Sequence, residues 1–218
     1  MSRGLILIDT AILVGYVRDS LGSRGFSVQL LDKPLLLWIF ESLKTVTNRF
    51  LVIVPYEGYA KSIVRSGITL PDDVDYTILI NTYIFFGKPN PLSGIYTALT
   101  SSTSNKVFIV TPNYPLVKSS TVMRLLRLVE DCDAAIIKLP NGVVEPLLGI
   151  YNASIDRILE NALECGVRDF SKLLNVLKVK IVPSEKISDK PELEFKCIRS
   201  FSDIFNVGRM IALESVRV

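Results

Sequence analysis

One short stretch of the chain combines residue types that suit phosphate binding. Its sequence is Gly-Ser-Arg-Gly, and an arginine, Arg18, lies shortly before it. Glycines let backbone N–H groups approach a phosphate closely, and arginine side chains neutralise its charge. We therefore predict a phosphate cradle formed by Gly22, Ser23, Arg24 and Gly25. An ordinary surface turn is the alternative interpretation of the same residues.

Composition excludes several other kinds of chemistry. Histidine is absent from the 218 residues, so there can be no serine–histidine or cysteine–histidine nucleophile pair and no histidine-ligated zinc. Cys132, Cys165 and Cys197 are too far apart for a CxxC motif, and we interpret them as buried free thiols. A net charge of +3 without a block of basic residues predicts no nucleic-acid partner.

Apolar residues make up 49% of the chain, and their arrangement indicates the fold class. No signal peptide and no apolar run of the ~18 residues that a membrane helix needs is present, so we expect a cytoplasmic protein without a membrane partner. Strands buried on both faces of a parallel sheet are instead continuous apolar runs. Such runs are GLILI (4–8), FLVIVP (50–55), YTILI (76–80), KVFIVTP (106–112), AAIIKL (134–139), EPLLGIY (145–151), VKIVP (179–183) and FKCIRSF (195–201).

Helical patterns separate these strands. Apolar residues recur with helical spacing after Asn90, which can cap a helix that has proline at its first position. Ser119 and Ser120 offer hydroxyl caps for a second helix, and Asp169 offers a carboxylate cap for a short one. Strand–helix alternation predicts an α/β protein with a doubly wound, mostly parallel sheet. We predict a single domain over residues 1–218.

In doubly wound sheets the ligand lies beyond the carboxyl ends of the strands, near the point where the strand order reverses. This rule selects three segments of the chain. They are the residues after the first strand (9–29), the turn at 112–116, and the connection into the helix after Asn90.

The order of several motifs resembles that of the molybdenum cofactor guanylyltransferases, a family of MobA-like nucleotidyltransferases. The family pattern has a glycine-rich loop (LAGGxSxRMGxDK) after its first strand, followed by gkPLL, GPLaGI, DxP, EPL and NxNTPED motifs. The resemblance covers nearly the whole chain from residue 28. The matching stretches are LDKPLLLWIFESL (31–43), NPLSGIYTAL (90–99), KVFIVTPNYPLV (106–117), VEPLLGIYNASIDRILENALECGVRDFSKLL (144–174) and FNVGRMIAL (205–213).

This resemblance implies a Rossmann-like nucleotidyltransferase fold and transfer of GMP from Mg-GTP to a molybdopterin-like acceptor, with release of pyrophosphate. It also implies a protein partner of the cofactor pathway and assigns roles to individual residues. Arg24 and Glu145 take catalytic positions. Asn113 takes the position of the family's Mg²⁺-binding aspartate, and Asn206 lies on the acceptor side. The residues placed against the nucleotide are Asp9, Thr10, Arg18, Gly22, Ser23, Gly25, Asn90 and Gly94.

Ordinary structural roles are open for three of these residues. Asn113 is also a common type of turn residue, Glu145 can be a solvated loop acid, and Asn206 can cap a helix. Asp9 and Thr10 are interpreted as replacing the paired glycines of the family loop. Because an amide oxygen supplies only a dipole where a carboxylate supplies a charge, we expect Mg²⁺ binding to be weak or lost unless Asp9 or another acid replaces the missing ligand.

Two alternatives to guanylyl transfer follow from these departures. One is a catalytically degenerate member that binds a nucleotide, a cofactor or a partner protein without turnover. The other is a related transferase that acts on a cobinamide phosphate or a sugar phosphate.

Overall fold

The computed structural model describes residues 8–17, 20–82 and 90–215, with the side chains of Ser23, Arg24 and Ser215 outside that description. Arg18, which is one of the predicted site residues, lies outside the described residues. The described strands are β1 (Ile8–Leu13), β2 (Gln29–Leu30), β3 (Lys33–Pro34), β4 (Thr47–Val54), β5 (Tyr76–Ile80), β6 (Lys106–Val110), β7 (Ala134–Lys138), β8 (Val144–Asn152) and β9 (Val179–Pro183).

The described α-helices alternate with these strands. They are α1 (Leu35–Leu43), α2 (Glu57–Arg65), α3 (Pro91–Ser101), α4 (Ser119–Leu128), α5 (Asp156–Glu164), α6 (Pro191–Glu194) and α7 (Phe201–Ser215). Short 3₁₀ turns occupy Gly22–Ser27, Ala153–Ile155, Phe170–Leu173 and Ser184–Lys186. Within the described residues, no helix is both long enough and apolar enough to cross a membrane.

Seven strands form one sheet in the order β5-β4-β1-β6-β8-β7-β9, and β2 pairs with β3 in a separate hairpin. The pairs β1–β4, β1–β6, β4–β5 and β7–β9 are parallel, whereas β8 runs antiparallel to both β6 and β7. The chain moves outward from β1 through β4 to β5 and then returns to the other side of β1 at β6. The strand order therefore reverses between β1 and β6, and the predicted mostly parallel α/β fold is confirmed.

Burial on both faces explains the continuous apolar runs. In β1, Ile8 and Ile12 belong to the core that α1 and α4 cover. Ala11 and Leu13 belong to the opposite core, which α3 and α5 cover. Side chains alternate between the two faces of a strand, but here both faces are packed and the sequence loses its polar alternation.

Two predicted strands differ in the structure. β1 is described over Ile8–Leu13, and the predicted range 4–8 lies outside the described residues except for Ile8. The run at 195–201 forms no strand and leads directly into α7.

Helix caps were predicted with mixed success. Asn90 caps α3 because its Oδ1 accepts a hydrogen bond from Leu92 N at 3.0 Å. Asp169 likewise accepts one from Ser171 N at 2.9 Å. The prediction of serine caps for α4 is wrong, since its N-cap is Lys118, which makes no capping hydrogen bond through its side chain.

The amino end of α4 is supported from a distant segment instead. The buried carboxylate of Glu194 accepts hydrogen bonds from Lys118 N at 3.0 Å and from the Thr121 hydroxyl. A carboxylate suits this position because the first N–H groups of a helix have no partner within the helix.

Candidate active site

The carboxyl ends of β1 and β6 enclose a small cavity at the point where the strand order reverses. Its volume is ≈ 30 Å³, which is room for about two water molecules. Parallel sheets bind ligands at this place because the loops that follow neighbouring strands diverge there. The cavity is lined by Val14, Gly15, Val17, Gly22, Gly25, Phe26, Leu35, Tyr59, Pro112 and Asn113.

Three glycines of the loop after β1 line this cavity. Gly15 has φ +85°, and a Cβ atom built on it would lie 2.6 Å from Cε1 of Tyr59. Gly22 has φ +76° and opens the 3₁₀ turn that contains Gly25. The positive φ angles and the close packing at Gly15 require glycine. The predicted residues Gly22 and Gly25 thus lie at the switch point, while nothing is described of the Ser23 and Arg24 side chains.

Sequence reasoning missed Gly15 because it placed the first strand too early. With β1 ending at Leu13, the loop begins at Val14 and Gly15, and Asp9 and Thr10 lie within the strand. The polar pair Asp9 and Thr10 resembled the end of the strand, whereas Gly15 is the turn residue that follows the apolar run at 11–14.

The structure does not bring Asp9 and Thr10 to the cavity. Asp9 lies near the amino end of β1, about 16 Å along the strand from Val14. Its fully buried carboxylate accepts hydrogen bonds from Ser102 Oγ at 2.9 Å and Thr103 N at 3.0 Å. Thr10 is fully buried at the same end of the strand. Both residues stabilise the opposite edge of the sheet, and their predicted contact with a nucleotide does not fit this placement.

Asn113 in the turn after β6 is tied to a distant segment of the chain. Its Nδ2 donates to the carbonyl of Ile198 at 2.7 Å, and its own carbonyl accepts from Ile198 N at 2.8 Å. Asn113 is 7% exposed. The amide thus acts as a donor that fixes residues 197–199 against the sheet edge, a role that a carboxylate could not take.

Glu145 reaches the same edge because β8 is antiparallel. Its Oε2 accepts a hydrogen bond from the hydroxyl of Tyr114 at 2.8 Å, and its Oε1 accepts one from Leu147 N at 3.1 Å. Burial raises the pKa of Tyr114, and the charge of Glu145 raises it further. Glu145 is therefore an anchored acid at the site and not a solvated loop residue.

The segment before α7 supplies a cation that sequence reasoning missed. The carbonyl of Arg199 accepts hydrogen bonds from both N and Oγ of Ser20, each at 2.9 Å. The Arg199 side chain donates through Nε to Sγ of Cys197 at 3.3 Å. This hydrogen bond is the largest cause of the raised pKa of Arg199, and the nearby charge of Glu145 acts in the same direction.

Asn206 does not line the cavity at the switch point. It lies on an exposed position within α7, away from the end of the helix that faces the sheet. A capping box marks that end, because Ser200 Oγ donates to Asp203 Oδ2 at 2.7 Å and accepts from Asp203 N at 3.2 Å. The pattern Ser-x-x-Asp was present in the sequence and would have placed Arg199 just before the helix.

A second cavity of ≈ 290 Å³ adjoins the amino end of α3 and the start of β8. It lies between the helix capped by Asn90 and the strand that carries Glu145. The residues that line it are Pro91, Leu92, Ile95, Glu145, Pro146, Leu147, Arg168, Asp169 and Phe170. The lining combines an apolar floor with acidic and basic side chains, which suits a polar organic ligand.

Residues 22–179 match the family model of the MobA-like NTP transferase domain. The chain belongs to this family.

Similar proteins extend this result over most of the chain. A protein of Bacillus licheniformis named "probable molybdenum cofactor guanylyltransferase" is 23% identical over 88% of this chain and 92% of that protein. One of the same name from Carboxydothermus hydrogenoformans is 25% identical, with 86% and 87% covered. The crystal structure of molybdopterin-guanine dinucleotide biosynthesis protein A from Archaeoglobus fulgidus has a TM-score of 0.74 at 23% identity and covers 94% of this chain and 99% of that chain.

The MobA-like fold is shared with transferases of other names. The 2-C-methyl-D-erythritol 4-phosphate cytidylyltransferase of Thermus thermophilus has a TM-score of 0.65 at 15% identity, with 94% of this chain and 98% of that chain covered. At such identities the likeness shows the fold alone.

The residues of this MobA-like site do not fit a bound Mg²⁺ ion. Magnesium requires oxygen ligands, with at least one carboxylate among them in most protein sites. Within the described part of the chain, no group of three or more acidic, histidine or cysteine side chains could hold a metal ion. The Asn113 amide donates to Ile198, both oxygens of Glu145 already accept hydrogen bonds, and Arg199 adds positive charge.

Proposed function

We propose that this chain binds a nucleoside triphosphate, with GTP favoured, and transfers its nucleoside monophosphate to a molybdopterin-type phosphate. The names of the similar curated proteins support the choice of nucleotide and acceptor. The observation that carries the proposal is the convergence of three segments at the switch point. They are the glycine loop after β1, the turn after β6 and the segment that carries Arg199.

The transfer requires positioning and charge neutralisation more than covalent participation by the protein. An oxygen of the acceptor phosphate attacks the α-phosphorus and forms a new P–O bond. The bond from the α-phosphorus to the bridging oxygen breaks, and its electron pair leaves with pyrophosphate. In this proposal the backbone N–H groups around Gly15 and Gly22 hold the phosphates, and Arg199 neutralises them together with Arg18 and Arg24.

The acceptor is assigned to the cavity between α3 and β8. Arg168 in its lining supplies a cation for the acceptor phosphate, and Glu145 borders both this cavity and the phosphate side through Tyr114. A cobinamide phosphate or a sugar phosphate would present the same phosphate group to Arg168. We also expect a cytoplasmic location and contact with another protein of the cofactor pathway, and we expect neither a membrane nor nucleic acid as partner.

Binding without turnover is the second candidate function. It is favoured by the engagement of Asn113 in a structural hydrogen bond. Such a protein would retain the nucleotide site and lack the transfer step.

Both candidates are tested with GTP labelled at the α-phosphate. Labelled product is measured after incubation with molybdopterin, and binding is measured by calorimetry, each with Mg²⁺ and with a chelator. Labelled dinucleotide supports transfer, binding without product supports the second candidate, and absence of binding refutes both.

An arginine variant tests the phosphate side separately. Arg199→Ala should weaken pyrophosphate binding about tenfold or more, because a charge-assisted hydrogen bond contributes about 1.5–3 kcal/mol. Arg157→Ala is the matched control, since Arg157 is exposed on α5, which follows the far end of β8. Equal binding by the two variants would remove Arg199 from the site.

A further inference from the structure

An aromatic ring fills the crevice between β1 and the first turn of α3. Tyr16 follows Gly15 and is 9% exposed. A Cβ atom built on Gly94 would lie 3.0 Å from Cε1 and Cζ of this ring and 2.9 Å from Cδ2 of Leu13. The ring thus packs directly on the backbone of α3, at a position that only a glycine leaves open.

The hydroxyl group of Tyr16 is poorly satisfied in this position. It is buried and has no hydrogen bond of good geometry to any described residue. Burial raises the pKa of Tyr16, and a weak hydrogen-bonding contact with the Asn81 side chain opposes that shift in part. The contact with Asn81 compensates only in part for the hydration that this hydroxyl lost on burial. The ring therefore holds its place against an opposing free energy.

The polar groups beyond the ring suit a planar heterocycle better than a phenol. Asn81 Nδ2 donates to Ser93 Oγ at 2.7 Å, and Asn81 Oδ1 accepts from Thr97 Oγ1 at 3.1 Å. All three side chains are buried at the end of β5 and on α3. Amide and hydroxyl groups together offer donors and acceptors, which the edge of a nucleobase can match and a single phenol group cannot.

We infer that Tyr16 occupies the binding place of a nucleobase and that a ligand must displace its ring to enter. The inference rests on the proposed nucleotide site and names the residue that controls access to it. It accounts for the small volume of the switch-point cavity, since the crevice on the α3 side of Gly15 is filled by the protein itself. Tyr16 would then set the affinity of the site for the base and leave the phosphate side unaffected.

The inference is tested by calorimetry with two separate probes, guanosine for the base and pyrophosphate for the phosphates. Tyr16→Ala removes the ring, and Tyr16→Leu removes only its outer half and keeps the apolar contact with Leu13. Tyr16→Phe is the matched control, because it keeps the ring and loses the unsatisfied hydroxyl. Circular dichroism and thermal unfolding identify the variants that are folded.

Folded Tyr16→Ala or Tyr16→Leu should bind guanosine about tenfold or more tightly than the wild type, as expected when the open conformation is populated at about 10% or less. Tyr16→Phe should bind guanosine no more tightly than the wild type, and pyrophosphate binding should be equal in all four proteins. No gain in guanosine affinity, or a loss, would overturn the inference. A gain in a protein that binds no pyrophosphate would uphold it and refute the proposed phosphate site.

Discussion

Replacing Asn113 by aspartate tests whether this residue is a structural donor or a weakened metal ligand. The two side chains have nearly the same shape, but the aspartate has no N–H group. In the structure Nδ2 of Asn113 donates to the carbonyl of Ile198 at 2.7 Å in a buried position. Asn113→Asp would place a carboxylate oxygen against that carbonyl oxygen, so we expect loss of stability and a displaced segment before α7.

The size of the effect follows from one missing hydrogen bond and one buried charge. Removal of a hydrogen bond costs about 1 kcal/mol, and a buried carboxylate that faces an acceptor adds about 1–3 kcal/mol. The free energy of unfolding should therefore fall by about 2–4 kcal/mol at neutral pH. For a chain of this size, that change lowers the melting temperature by about 4–16 °C. At about pH 4 the loss should shrink, because the protonated carboxyl group can donate to the carbonyl.

Urea unfolding at pH 7.5 and pH 4 measures this difference. Asn141→Asp is the matched control, since Asn141 is exposed and its Oδ1 only accepts a hydrogen bond, from Val143 N at 3.1 Å. The control should stay within about 0.5 kcal/mol of the wild type. Equal stability of the two variants at pH 7.5 would refute the assignment of the Asn113 amide as a donor. If Mg²⁺ restored the free energy of unfolding of Asn113→Asp and had no such effect on the wild type, the site would still accept a metal.

Three further substitutions test other parts of the fold. Burial by itself raises the pKa of Asp9, but hydrogen bonds led by that from Ser102 outweigh it and lower the pKa. A carboxyl group with a lowered pKa stabilises the fold above about pH 4, and this stabilisation is lost as the pH falls. Asp9→Asn should therefore lower the free energy of unfolding by about 2 kcal/mol at pH 7 and by less at pH 3, as measured by urea unfolding. Gly149→Ala should lower the free energy of unfolding by about 3 kcal/mol, because the Cβ atom of the new alanine would lie 2.6 Å from the carbonyl oxygen of Ala135. Gly208→Ala within α7 should instead raise the melting temperature, since its Cβ meets only ordinary contacts; a loss of stability there would contradict this account.

Local sequence signals predicted the parts of the fold whose determinants are local. The strands at 76–80 and 179–183 have the predicted ends, and the cap at Asn90 is formed as expected. Each depends on neighbouring residues: an apolar run bounded by polar residues, or an amide beside a proline. The cap of α4 failed for the opposite reason, because its partner Glu194 is far away along the chain.

The candidate site was harder to predict because long-range contacts define it. Asp9 resembled the start of a loop, yet a buried carboxylate can lie inside a strand when Ser102 and Thr103 supply donors from another segment. Glu145 was predicted from the sequence as a site residue, but its hydrogen bond with the Tyr114 hydroxyl was not. Arg199 was missed because the late motif was matched within α7, although the capping box signalled where the helix begins.

The distribution of unsatisfied polar atoms bears on whether the site still binds a ligand. Among the described residues, four buried side-chain atoms have no hydrogen bond of good geometry, and two of them are the hydroxyls of Tyr16 and Thr111. These residues follow the carboxyl ends of β1 and β6, on either side of the switch point. Buried polar groups in native proteins are nearly always satisfied by protein, ordered water or ligand, so these two hydroxyls can each bind a polar partner at this place. The pairing of Asn113 with Ile198 shows that the same region forms internal hydrogen bonds where they stabilise it. The two incompletely satisfied hydroxyls therefore favour a ligand-binding role, which both candidate functions require. Calorimetric measurement of nucleotide binding should accordingly come before any assay of turnover.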